Sequence, residues 1–292
     1  MGVRTWAKRI PLALLLMAVL AGCGQHAVML NPAGPVGRTE LNLMVLASVA
    51  MAIVILFVLV LATVAVVRFR DKKGNRAPYT PQVEGHKVLE VLWFIIPALI
   101  LTVIAVPTVK DTLALAKVPA KNPLVVDVTS LDWKWLFEYP GQKVATVNHL
   151  VIPAGQPVLF KITSDAPMNT FWIPQLGGME YAMPGRVLPL WLESYKPGVY
   201  WGHSGQFSGR EFEKMFFSVR AVTPAAFSSW AAHLRKTAPP MTVADYHRLL
   251  QFTTVGHLSY SKYPAFTFPS VTHGFTLKGG MYLLMHNNPA HD

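Results

Sequence analysis

The side chains here that could hold a metal or carry a buried charge are few: ten histidines, the single cysteine Cys23, and one carboxylate, Glu90, set in an apolar run. A lone thiol can form neither an intramolecular disulfide nor a thiolate cluster. His203 has no second imidazole or thiolate at ligand spacing and reads as a hydrogen-bonding or water-facing residue. His149 lies in an alternating segment and reads as surface or core, while His286 and His291 fall in a tail, 283–292. Glu90 is a functional candidate, because ionisable groups are costly inside a membrane. Its place near one end of its run favours a polar contact with a neighbour, or with interfacial water, over a proton path.

The elements that must carry these residues are legible in composition. Of the 292 residues 52% are apolar and only 14% charged, which argues against a soluble, disordered or nucleic-acid-binding chain. Arg4, Lys8 and Arg9 precede the short apolar run Ile10 to Leu20 and the small residues before Cys23, the layout of a signal peptide over 1–22. After a segment 23–40, the apolar run 41–67 is long enough to span a bilayer, and so is 88–109, which includes Pro97 and Pro107. The loop between them, 68–87, holds Arg68, Arg70, Lys72, Lys73, Arg76 and Lys87 against Asp71 and Glu84, which assigns it to the cytoplasm and both flanks to the outer side. Without the three basic residues of the signal peptide, 23 basic residues face 15 acidic ones, and half the excess sits in that loop. No concentrated basic surface remains for nucleic acid.

Beyond 109 the pattern predicts strands at 124–128, 133–139, 144–152, 157–163, 187–192 and 214–219, separated by turn dipeptides such as Pro140-Gly141, Gly177-Gly178 and Pro184-Gly185. These describe an external all-β sandwich over 119–222. Short helices are expected at 225–236 and 243–251, inside an extension, 223–282, that is rich in aromatic residues.

Leu20-Ala21-Gly22-Cys23 resembles the lipobox of bacterial lipoproteins, which implies cleavage before Cys23 and acylation of that residue; an ordinary small-residue cleavage site or an uncleaved anchor is the alternative. Two spans followed by a β-sandwich with Trp133-Lys134-Trp135 at its start resemble subunit II of the haem-copper respiratory oxidases. Glu90, Trp93 and Pro97 match that family's second-helix pattern. Ser164 to Pro174 resembles its first copper-ligand loop, and Tyr200 to Met215 the second. The resemblance implies a membrane protein with a two-helix transmembrane hairpin, a cupredoxin-like Greek-key sandwich and a short helical C-terminal extension.

The departures from the family pattern bear on function. Members with a binuclear copper centre use two Cys, two His, a Met and a Glu carbonyl. The resemblance puts Ser204 and Ser208 at the thiolate positions, Asn169 and Phe212 at the imidazole positions and Gln206 at the Glu, and leaves only Met215 matching. Copper of that kind needs soft thiolates and imidazoles, which hydroxyl, amide and phenyl groups do not replace. The resemblance therefore implies the quinol oxidase branch, as subunit II of a cytochrome o type ubiquinol oxidase with no metal and no catalytic residue on this chain. Haems, one copper and ubiquinol would belong to a partner subunit I, with subunits III and IV as further partners and no soluble cytochrome c. Glu90, Trp93 and Trp133 would contact subunit I, Trp133 by packing. A copper-bearing cytochrome c oxidase subunit and a membrane-tethered assembly lipoprotein are the competing readings.

Overall fold

The computed structural model describes residues 27–70 and 85–268. The signal segment with Cys23, the middle of the loop 68–87 and everything after 268, including the tail, lie outside the described residues. The chain forms two compact units, one of residues 38–119 and one that joins residues up to 37 with those from 120 onward.

The first unit is helical. Helix α1 runs Pro35–Arg68 and α2 runs Lys87–Leu115, 34 and 29 residues, or about 51 and about 43 Å at 1.5 Å per residue. Both are long and apolar enough to cross a membrane. Each exceeds the expected span, because Pro35 starts α1 a turn and a half before its apolar run and α2 continues through Lys110 and Asp111. The hydroxyls of Thr63, Thr102 and Thr108 donate to the carbonyls of Leu59, Ala98 and Ile104, four residues back, at 2.7, 2.8 and 2.7 Å. These three hydroxyls are thus satisfied inside their own helix, as hydrocarbon surroundings require. Glu90 is exposed in the first turn of α2, and Trp93 is exposed one turn further on.

The second unit is a two-sheet sandwich. Strands β1 (Leu124–Leu131), β2 (Lys134–Tyr139), β3 (Val144–Val147), β4 (His149–Pro153), β5 (Val158–Ser164), β6 (Asn169–Ile173), β7 (Gly177–Ala182), β8 (Leu188–Leu192), β9 (Gly198–Ser204) and β10 (Phe216–Val222) precede helices α3 (Pro224–Thr237) and α4 (Val243–Leu249) and a last strand, β11 (Leu258–Tyr260). The six-stranded sheet has the order β11-β3-β2-β1-β5-β8 and the five-stranded sheet β4-β10-β9-β6-β7. The pairs β1/β5 and β4/β10 are parallel and the other pairs antiparallel.

The structure corrects the expected strand 144–152: it is two strands, divided at Asn148. Asn148 has φ 58°, a left-handed conformation that Asn tolerates better than most residues, and the turn it makes carries the chain from one sheet to the other. Its side chain fixes the corner, with Oδ1 accepting from the Trp135 amide at 2.9 Å and Nδ2 donating to the Val255 carbonyl at 2.8 Å. Strand β7 begins where Gly177-Gly178 reads as a turn; both glycines have positive φ, and a register shift at Trp172/Ile173 lets the tight connection pass directly into pairing.

Alternation divides β1 and β2 between two cores. Trp135, Phe137, Phe160, Phe171 and Phe217 fill the space between the sheets, with Phe171 and Phe217 stacked at 5.2 Å and 8°. A second core lies on the outer face of the six-stranded sheet, where Leu131, Leu136, Ala145 and Val147 meet Met241, Tyr246, Leu249 and Tyr260 of the C-terminal extension. The described part of the aromatic-rich extension, up to 268, is therefore a packed layer that adds β11 to the edge of the sheet.

Candidate functional site

Three of the residues singled out in the sequence, Asn169, Ser204 and Gln206, meet at one end of the sandwich, where β6 starts and β9 stops. Asn169 opens β6 and Ser204 closes β9, and both are buried. The Ser204 hydroxyl lies 3.0 Å from Asn169 Oδ1 and 3.1 Å from the Gln206 carbonyl, either of which can accept its proton. Its oxygen accepts from the amides of Thr170 at 3.4 Å and Gln206 at 3.3 Å. Asn169 Nδ2 donates to the Pro167 carbonyl at 2.9 Å, and the Gly205 amide donates to Thr170 Oγ1 at 2.6 Å. The oxygens of this cluster are therefore engaged in holding two loops together.

The rest of the second loop leads away from that cluster. Ser208 offers its carbonyl to the indole N–H of Trp133 at 3.2 Å, while its hydroxyl is buried without a partner among the described residues. Trp133 stands at φ 59° between β1 and β2, and its ring meets Phe252 at 6.2 Å. Phe212, in a single helical turn, packs edge-on against Phe207 at 5.7 Å. Met215 is buried. His203 rests on the Trp172 ring at 5.0 Å, and partial burial lowers its pKa. His149 points its ring nitrogens at the Val147 carbonyl and the Ser259 hydroxyl, both at 3.1 Å.

The sequence reading passed over the residues that fasten the extension to these loops. Lys134 is fully buried, and its ammonium donates to the carbonyls of Asp132, Leu249 and Gln251 at 2.8, 2.8 and 2.9 Å, one acceptor for each proton. Burial pulls its pKa down to about 8. The Tyr246 hydroxyl donates to Asp165 Oδ2, in the first loop, at 2.9 Å. An open cleft of about 630 Å³ lies beside Trp133, between Arg210 and Lys214 on one side and Phe252 to Thr254 on the other. A lysine at the start of a strand, between two tryptophans, was the available signal; its acceptors in the extension, 115 and 117 residues away, were not.

The donors present do not fit a copper pair. Among the described residues no three of His, Cys, Asp and Glu gather as metal ligands. Serine oxygens and a carboxamide already committed to internal hydrogen bonds supply none of the soft bridging that such a centre needs.

Comparison with known proteins places this architecture. The family described as cytochrome c oxidase subunit II, transmembrane domain, matches residues 35–110, and the one described as its periplasmic domain matches 134–222. Quinol oxidase subunit 2 of Bacillus cereus is 41% identical over 261 residues, covering 88% of this chain and 89% of the relative. That of Bacillus subtilis is 42% identical over 256 residues, covering 86% and 79%. Cytochrome bo(3) ubiquinol oxidase subunit 2 of Pseudomonas putida is 36% identical over 251 residues, covering 83% and 79%. Among solved structures, the periplasmic domain of subunit II of cytochrome oxidase from Bradyrhizobium japonicum is 23% identical with a TM-score of 0.39, covering 41% of this chain and 98% of that one. The chain belongs to the subunit II family of the haem-copper cytochrome and quinol oxidases.

Proposed function

We propose that this chain is subunit II of a proton-pumping terminal ubiquinol oxidase, the complex that oxidises ubiquinol and reduces oxygen to water, and that its own part is structural. The observation that carries the reading is the cluster at Asn169, Ser204 and Gln206: hydrogen bonds tie together the two loops that resemble copper-ligand loops. Relatives named quinol oxidase subunit 2 over most of the chain support it. In this reading Asn169, Ser204, Gln206, Ser208, Phe212 and Met215 are the remnants of a binuclear copper site, and electrons reach the complex from quinol rather than from soluble cytochrome c.

Haems and one copper belong to subunit I in this proposal, with subunits III and IV completing the complex. Glu90, Trp93 and Trp133 are proposed contacts to subunit I. The basic loop 68–87 is assigned to the cytoplasm and the sandwich, 119–222, to the periplasm of a bacterial cell membrane, with acyl chains on Cys23 as an added anchor.

Oxygen uptake by the purified complex tests this directly. Ubiquinol is expected to support uptake and reduced cytochrome c is not; cytochrome c as the preferred donor would overturn the assignment. Purification in mild detergent without a haem-bearing large subunit would remove the oxidase reading altogether.

A further inference from the structure

The second core contains one carboxyl group that the oxidase reading leaves without a task. Glu138 faces outward from β2, is wholly buried, and lies directly opposite Asp127 on β1, which in turn lies opposite Lys161 on β5. Opposed side chains on one sheet face stand about 5 Å apart at Cβ, so the wholly buried Glu138 carboxyl has the half-buried Asp127 carboxyl as its neighbour. Glu138 Oε2 and Asp127 Oδ1 are buried with no hydrogen-bond partner among the described residues. The other oxygen, Glu138 Oε1, contacts Thr267 Oγ1, and Thr267 Oγ1 also lies 2.7 Å from the Pro264 carbonyl.

The proton count favours one arrangement. Thr267 has a single hydroxyl proton, and the Pro264 carbonyl can only accept. If Thr267 gives that proton to Pro264, its oxygen is left to accept, and only a protonated Glu138 can donate to it. A carboxylate would instead compete with Pro264 for the same proton and carry an unpaired charge beside Asp127, where burial is most costly.

We propose that Glu138 in its neutral acid form is a proton-dependent latch: it donates to Thr267, which donates to Pro264, and this relay fastens the segment 258–268 over the outer face of the sheet and releases it when Glu138 ionises. The groups facing Glu138 are Asp127 from β1 and Tyr263 and Thr267 from the extension, with Lys161 beyond Asp127. Burial pushes Glu138 up to about 8 against the opposing effect of the Thr267 contact, with the Asp127 charge adding to the rise, and burial pushes Asp127 up to about 6 against the pull of Lys161. The proposal does not depend on the oxidase assignment.

Hydrogen exchange of the full chain in its detergent-purified complex, corrected for the intrinsic pH dependence of exchange, reads the latch. Protection of 258–268 is expected to fall by about tenfold or more between pH 6.5 and pH 9, while the inner-core strands keep theirs. Glu138→Gln, whose amide can donate as the acid does, is expected to hold the segment protected at both pH values. Thr267→Val removes the acceptor and is expected to leave it unprotected at both. Equal protection of the wild-type segment at the two pH values would overturn the proposal, as would a pH-dependent loss unchanged by Glu138→Gln. If Glu138→Gln does not fold, a Thr267→Val chain that keeps the wild-type pH response overturns it equally.

Discussion

The hydroxyl of Ser204 lies 3.0 Å from the carboxamide oxygen of Asn169, joining the end of β9 to the start of β6. Two strands that neighbour each other in the sheet are thus also cross-linked at their tips.

Restoring the ligands should restore the metal. A chain carrying Asn169→His, Ser204→Cys, Gln206→Glu, Ser208→Cys and Phe212→His, with Met215 retained, is expected to bind a copper pair with strong thiolate absorption. The wild-type chain and Ser204→Cys alone are expected to bind none. Metal analysis and the visible spectrum decide; a copper pair on the wild-type chain refutes the remnant-site reading.

Lys134→Met should loosen the extension. It removes the ammonium donor shared by the carbonyls of Asp132, Leu249 and Gln251, the last two at and just past the C-terminal end of α4, and a buried acceptor left without its partner costs about 1–3 kcal/mol. A loss of about 2–4 kcal/mol in denaturant unfolding of the purified chain is expected, with early proteolysis near 250–255. An unchanged midpoint would count against Lys134 as the clasp.

Gly202→Ala should disturb the inner core. A Cβ at Gly202 would lie 2.0 Å from Phe217 Cζ, and Phe217 is stacked on Phe171 with no free space to enter. Overpacking of this kind costs about 1–3 kcal/mol, read as a lower melting temperature with both helices intact.

Stability should decline on the alkaline side. Glu138 and Asp127 titrate in the folded chain near 8 and 6, above their ordinary values of 4.5 and 3.8, so the folded state holds more protons than the unfolded one across that window. Their contribution is fully present below about pH 4 and is lost as pH rises through 6 and then 8. Lys134, lowered from 10.5 to about 8, acts in the opposite sense above pH 8, because there the unfolded chain binds the extra proton. Unfolding midpoints from pH 5 to pH 8 should therefore fall in the wild type and fall less in Glu138→Gln.

The two long apolar helices and the β-rich character of the sandwich domain were legible because apolar runs and period-two alternation are local signals. Its corner and its second core were not. Asn148 looks like one more polar residue in a strand until its φ is known, and nothing local marks Lys134 and Glu138 as buried, because the layer that covers them arrives more than a hundred residues later. The candidate site was legible in its residue types, by resemblance to a known pattern; that Ser204, Asn169 and Gln206 bond to one another, and that Phe212 turns to Phe207 instead, depends on the path of the loops.

Strand β11 has a consequence for the order of events during synthesis. Among the described strands it is the last to leave the ribosome, yet its partner β3 is among the first of the sandwich, and until residues 258–260 emerge β3 presents a row of unpaired amides and carbonyls. The parallel pairs β1/β5 and β4/β10 also wait on distant sequence, which makes the domain slow to complete. A chain truncated before 258 would carry a sandwich with an open β3 edge, prone to join the wrong neighbour, so the extension acts as the seal that ends the vulnerable interval.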